Sequence, residues 1–277
     1  MSLPEQPLWC RIILLILTII SFLPQILRIQ TKQTASGISS LYVLWNLICA
    51  TEQLTIYIYA LFLEYEPEGN VFLHSPPSAG DQFSLCHCAF VAILFLTLFA
   101  QVLIYSSRRA SLVASYTSFL VVSVIPLFML ATLLIDDEGR RFWSAAFYAL
   151  HTILVYPILT ALGVLGIYRQ AREIVAIPLP NALSLQGLAV QAVVFILVSV
   201  TWIWSLSFPY EDLDGHLNWN IFSVWYSTIG WIIIGNIVFA LGQIVLLLWA
   251  LHRSSSSKAN VRRGSETEPL LGHPVQK

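Results

Sequence analysis

The sequence predicts an all-α membrane protein of seven transmembrane helices, arranged as two parallel three-helix bundles joined by a linker helix. Three features predict it. The chain of 277 residues is 57% hydrophobic and only 10% charged, with a mean hydropathy of +0.75, whereas an ordinary soluble domain is about a quarter charged. Apolar runs of the ~20 residues that cross a ~30 Å hydrocarbon core recur along nearly the whole chain. The two halves also show weak self-similarity, which supplies the arrangement.

The spans fall at residues 9–27, 38–63, 83–105, 112–135, 142–168, 182–208 and 222–251. In lipid every backbone polar group must be bonded within its own segment, so runs this long and apolar read as helices; barrel strands would be about ten residues of alternating polarity. The first run is preceded by Glu5 and is not followed by a small-residue cleavage site, so it reads as a retained helix and not as a signal peptide. Polar breaks separate the spans. Residues 64–82 hold Pro67, Gly69, Pro76, Pro77 and Gly80, and residues 209–220 hold Glu211, Asp212, Asp214 and Gly215, both patterns of loops.

Orientation follows from the basic residues. Arg28, Lys32, Arg108, Arg109, Arg169, Arg172, Arg253, Lys258, Arg262, Arg263 and Lys277 fall on one side, and only Arg11, Arg140 and Arg141 on the other. The excess of Lys and Arg marks the cytosolic side, which places the amino terminus outside the cytosol and the carboxyl terminus inside it. A net charge of −1 provides no basic surface for nucleic acid. The cysteines, Cys10, Cys49, Cys86 and Cys88, lie in or beside apolar segments and do not form a secreted disulfide framework.

At an offset of 145 residues, Pro24-Gln25 at the end of the first span falls on Arg169-Gln170 at the end of the fifth, and Ile38, Ser39 and Asn46 fall on Leu183, Ser184 and Gln191. At an offset of 142, residues 100–103, which contain Gln101, meet residues 242–245, which contain Gln243. Membrane carriers are often built from repeats. After three spans, only an extra crossing lets a second copy start on the same side, so the fourth span reads as an inverting linker. The chain then divides into 9–105, 112–135, 142–251 and a disordered tail, 252–277.

The stretch Ser21-Phe22-Leu23-Pro24-Gln25-Ile26, with a short basic loop through Arg28 and Lys32 and then Ser36-Gly37-Ile38-Ser39, resembles the first signature of the PQ-loop repeat membrane proteins. That family includes cystinosin, vacuolar basic-amino-acid transporters and, more distantly, the SWEET sugar carriers and the KDEL receptors. The resemblance implies seven spans and solute transport by alternating access. The second signature keeps Gln170 but carries Arg169 where the family usually has proline. Proline lacks an amide donor and clashes with the preceding turn, so Pro24 reads as a hinge or as a proline tolerated near a helix end, with Gln25 bonding a freed carbonyl. Pro157, midway along the fifth span, is an alternative hinge for the second half.

Polar groups inside the membrane are costly and usually face the protein interior or water. Glu52, midway through the second span, reads as a proton-coupling or substrate-amine site, or else as a neutral, hydrogen-bonded structural acid. His151 reads first as a group bonding a neighbouring helix and second as a member of a proton relay. Asn236 and Gln243 share a face of the seventh span; Asn236 is reminiscent of the substrate-contacting asparagines of SWEET carriers, and Gln101 is the first-bundle counterpart of Gln243. Such amides also join helices at ~1 kcal/mol each. Cys86-His87-Cys88 is not read as a metal site, because residues two apart point about 200° apart on a helix. No nucleophile elbow, P-loop or HExxH motif supports an enzyme, and no cofactor or metal is expected.

The polar tail ends in Glu266-Thr267-Glu268-Pro269-Leu270-Leu271, the form of an acidic dileucine signal read by clathrin adaptors from the cytosol. It points to a vacuolar or lysosomal membrane. The expected partners are the bilayer, a small solute, protons and an adaptor. The leading function is small-solute transport, with an amino acid exported in preference to a sugar; a seven-helix sorting receptor and a membrane scaffold are the other classes.

Overall fold

The computed structural model describes residues 7–63, 78–132, 137–177, 181–205 and 219–266. Among them are seven helices long and apolar enough to cross a membrane, as the hydropathy pattern predicts. The first is α1, Leu8–Lys32, which ends where Gln33 turns left-handed (φ 51°). Next come α2, Ser40–Phe62, whose first turn is capped by Ser39, and α3, Ala79–Tyr105. The third span begins four residues before the apolar run does, because Ser78 and Asp81 form a capping box: Asp81 N donates to Ser78 Oγ at 3.2 Å and Ser78 N to Asp81 Oδ2 at 2.8 Å. The fourth span is α4, Arg109–Thr132.

The fifth span is longer than its apolar run suggests. It comprises α5, Asp137–Leu150, a π turn at His151–Val155, and α6, Tyr156–Ala176. Pro157 has no amide to give, and the turn before it is widened so that Tyr156 N donates to His151 O, five residues back. The sixth span is α7, Leu185–Ser205. The seventh comprises α8, Trp219–Trp225, a second π turn at Tyr226–Gly230, and α9, Trp231–Glu266. At Gly230 a Cβ would come within 2.4 Å of the Trp225 ring, so the absence of a side chain lets that ring lie on the turn. The segment from Ser254 to Glu266 corrects the sequence reading. It continues α9 as helix where composition predicts a disordered tail; a helix already nucleated in the membrane extends into polar sequence residue by residue, without a new nucleus.

Six of the spanning helices form a closed ring of neighbours, in which α1–α3 are called the first triplet and α6, α7 and α9 the second. Within the first, α3 lies between α1 and α2; within the second, α9 lies between α6 and α7. The triplets meet through α1 against α7 and α2 against α6, and α4 rests mainly on α2. Two-thirds of the apolar window of α2 is buried in protein, against 17% for α4. This accounts for α2 having the lowest mean hydropathy of the seven, 1.2: it faces protein, where Asn46, Thr51, Glu52 and Thr55 are buried and hydrogen-bonded. At the centre Phe22, Phe95, Phe195 and Phe239, one from each of α1, α3, α7 and α9, interlock edge to face at centroid distances of 4.6–6.2 Å.

Candidate functional site

The end of α1, the α3–α4 turn, the end of α6 and the start of α7 share one end of the bundle, here called the basic end. There two loops are gripped in the same way. Gln25, on α1, donates from Nε2 to Ala182 O at 3.0 Å and accepts Ser184 N on Oε1 at 2.8 Å. Gln170, on α6, donates from Nε2 to Gly37 O at 2.8 Å and accepts Ser39 N on Oε1 at 2.8 Å. Each amide side chain thus reads a backbone carbonyl and amide two residues apart on the loop of the opposite triplet. Gln25 and Gln170, Gly37 and Ala182, and Ser39 and Ser184 all stand 145 residues apart. The loops also touch directly, Ala182 N donating to Ser36 O at 2.9 Å, and Arg28 donates twice to Asn181 O.

These contacts correct one sequence expectation. The Gln25 side chain bonds the far loop and not a carbonyl freed by Pro24 in its own helix. Loop groups with no ladder of their own need partners when buried, and a flexible amide supplies both a donor and an acceptor. Gly37 is part of the same construction. Its φ is +86°, and a Cβ would lie 2.4 Å from Asn181 Nδ2, so glycine lets the loops approach.

Between the triplets, at mid-helix depth, lies a cavity of about 60 Å³ lined by residues of α2, α3, α6, α7 and α9. This is room for a few waters. Its polar lining is uncharged, Asn46, Gln53, Thr160 and Asn236, and the aromatic residues Tyr156 and Trp231 border it. Tyr156 and Trp231 stack at 4.0 Å with planes 15° apart, and both are buried. Among the described residues the Tyr156 hydroxyl and Trp231 Nε1 find no hydrogen-bond partner, two donors in want of an acceptor. Toward the basic end Phe95 borders both this cavity and a smaller one of about 30 Å³ that holds Gln25, Gln170, Gln191 and Gln243.

A second polar cluster lies on the other side of α2. Glu52 is completely buried; Ser123 on α4 donates to its Oε2 at 2.5 Å, and His151 Nδ1, in the π turn, makes a short contact with its Oε1. The His151 ring packs on Phe147 at 4.2 Å, and its Nε2 is buried without a partner among the described residues. Each polar group of the pair thereby has a partner, which lowers the cost of burying it inside a membrane. The cluster ties together the second, fourth and fifth spans.

The family model for the PQ loop repeat matches residues 9–64. The chain carries a PQ loop repeat. The matched stretch runs from α1 through the gripped loop to the end of α2, so it holds Gln25, Gly37, Ser39 and Glu52, and it is consistent with membership of the PQ-loop family. Comparison with curated proteins and with solved structures returns no match.

The residues singled out from sequence divide into three places. Gln25 and Gln170 meet at the basic end, Asn236 lines the central cavity, and Glu52 and His151 form the outer cluster. Glu52 is not among the cavity-lining residues, so its reading as a substrate-amine site loses its geometric basis. Gln101 and Gln243 both bridge helices, Gln101 reaching Ile26 O at 3.5 Å and Gln243 donating to the Tyr42 hydroxyl. Pro24 lies inside α1, one residue before the clamp, and Pro157 lies two residues after the π turn. In the Cys86-His87-Cys88 stretch, His87 Nε2 pairs with Thr18 Oγ1 at 3.0 Å, Cys86 is exposed and Cys88 is buried. Glu266 is the last residue of α9; Leu270 and Leu271 lie outside the described residues. Sequence reasoning missed Ser123, Tyr156 and Trp231. Their only local signal is a polar edge within an apolar run.

Proposed function

We propose that this chain is a small-solute transporter working by alternating access, the solute being held in the cavity between two three-helix units, α1–α3 and α6, α7 and α9, with α4 as linker. The observation that carries the proposal is the mid-membrane cavity lined from both triplets, with the amides of Asn46, Gln53 and Asn236 on its wall and the unpartnered donors of Tyr156 and Trp231 buried beside it. The packing order supports the two-unit reading, since each triplet has its last helix in the middle and the cross contacts of α1 with α7 and α2 with α6 exchange under a two-fold relation. Such a frame rocks about a fixed site. The glutamine clamps hold it closed at the basic end, which the excess of Arg and Lys assigns to the cytosol.

The favoured solute is an amino acid carried as a zwitterion of no net charge. Its carboxylate would accept from Tyr156 and Trp231, and its ammonium would meet the carbonyl oxygens of Asn46, Gln53 and Asn236. The same uncharged lining suits a sugar, which is the second reading. Glu52 and His151 supply a proton site outside the solute path, and the tail supplies an adaptor signal for a vacuolar or lysosomal address. The protein so read is a carrier and not an enzyme.

Purified chain in liposomes, given labelled amino acids and sugars with and without a pH gradient, tests this. Uptake of an amino acid that is accelerated by the gradient and reduced at least tenfold by Tyr156→Phe combined with Trp231→Phe is expected. Sugar uptake would replace the solute class, and absence of any uptake while the protein keeps its melting transition would overturn the transporter reading.

A further inference from the structure

At the basic end, outside the clamps, a concavity of about 670 Å³ opens between the loop after α1, the α3–α4 turn and the end of α6. Arg108 comes from the turn, Arg169 and Arg172 from α6, and all three line it together with a single acid, Glu173. Their guanidinium groups have no hydrogen-bond or ion-pair partner among the described residues, Glu173 included. Arg109, one residue from Arg108, behaves differently: it turns back to the carbonyls of Ile104 and Ser106. Arginines kept here only to orient the spans need neither a common concavity nor free forks.

The rest of the lining is suited to the same kind of ligand. Seven serine and threonine side chains border the space. Three of them, Thr34, Ser39 and Ser106, already accept a backbone N–H, so their own O–H groups remain free to donate. Three arginines against one glutamate leave a formal excess of two positive charges in the concavity. A monoanion would not balance this. Arginine forks match phosphate oxygens two at a time, and donors from three separate segments can surround an anion with more than one phosphate.

We propose that this vestibule binds a ligand carrying two or more phosphate groups. Such a ligand would bridge the loop gripped by Gln170, the α3–α4 turn and α6. The site does not depend on the transport reading, and its test measures binding alone.

The full chain in nanodiscs of neutral lipid is titrated with inorganic pyrophosphate, and in a second arm with vesicles containing a phosphatidylinositol bisphosphate. Saturable binding in either arm is expected, weakened at least tenfold in a variant with Arg108, Arg169 and Arg172 all changed to Gln, and unchanged by Arg140→Gln at the opposite end of the fifth span. These arginines are exposed, so the triple variant should keep its melting temperature. Binding of pyrophosphate assigns a soluble ligand, and binding of the vesicles alone assigns a lipid headgroup. Absence of saturable binding in both arms, or binding by the triple variant within twofold of the parent, overturns the proposal.

Discussion

The first triplet and the second are fastened at the basic end by matching devices, yet at mid-membrane they are built differently. Gln25 and Gln170 make the same pair of hydrogen bonds to opposite loops, although proline precedes one and arginine the other. What the two clamps share is therefore the amide and not the proline. Deeper in the membrane the symmetry ends. Both π turns, His151–Val155 and Tyr226–Gly230, belong to the fifth and seventh spans, and they pack against each other. The buried acid belongs to α2 of the first triplet and reaches across to the first of these turns. Under the proposed transport reading, closure falls to the two clamps in equal shares and deformability to the second half.

The largest expected effect is at the point where the halves differ. Glu52→Ala leaves His151 and Ser123 buried without their partner, and breaking a buried pair costs roughly 3–5 kcal/mol. Glu52→Gln keeps the shape and an acceptor for Ser123, so a loss of about 1–2 kcal/mol is expected. Thermal melting of the purified protein checks both. An Ala variant as stable as the parent would show that the cluster does not fasten the π turn.

Smaller and equal effects are expected at the clamps. Gln25→Ala and Gln170→Ala each strip a loop of one donor and one acceptor, about 1–3 kcal/mol apiece, and their melting temperatures should fall alike. A fall confined to Gln25→Ala would mean that the second repeat no longer carries load and that the likeness is geometric only. Gly37→Ala separates the loops as well. It combines a left-handed φ, costing about 1–2 kcal/mol, with overpacking against Asn181, whereas Ala182→Gly at the equivalent position should cost under about 1 kcal/mol.

What was legible in sequence follows from how far each feature's cause extends along the chain. The spans are visible because lipid demands long apolar runs, and the early start of α3 is written locally in Ser78 and Asp81. The equivalence of Gln25 and Gln170 is visible because the repeat offset preserves it. The partners of Glu52 are not visible, since Ser123 lies 71 residues away and His151 lies 99 residues away, and nothing near Glu52 specifies which helix it will face. Tyr156 and Trp231 look like ordinary membrane aromatics until their stacking against the cavity is seen. The π turns escape for a similar reason: the hydropathy of a helix is the same whether one turn is wide or not.

The smallest effect on stability, and the one that bears most directly on the comparison, is expected from Pro157→Ala. Proline cannot donate to the carbonyl four residues before it, so an alanine there offers an amide that would favour an ordinary α turn in place of the π turn. Two observations argue that the wide turn would survive. The π turn at Tyr226–Gly230 exists with no proline in or directly after it, and the contact of His151 with Glu52 anchors the first turn independently of Pro157. Regularising the fifth span would swing His151 about 100° around the helix and forfeit that contact, a larger loss than one helical hydrogen bond returns. The melting temperature should therefore correspond to a change under about 1 kcal/mol. Motion is a different matter, since the added donor stiffens the place where the span would flex. A several-fold fall in uptake rate with unchanged solute affinity is expected in liposomes. Uptake at the parental rate would place the flexing elsewhere, with Pro24 in α1 as the next position to change, and would move deformability back to the first triplet.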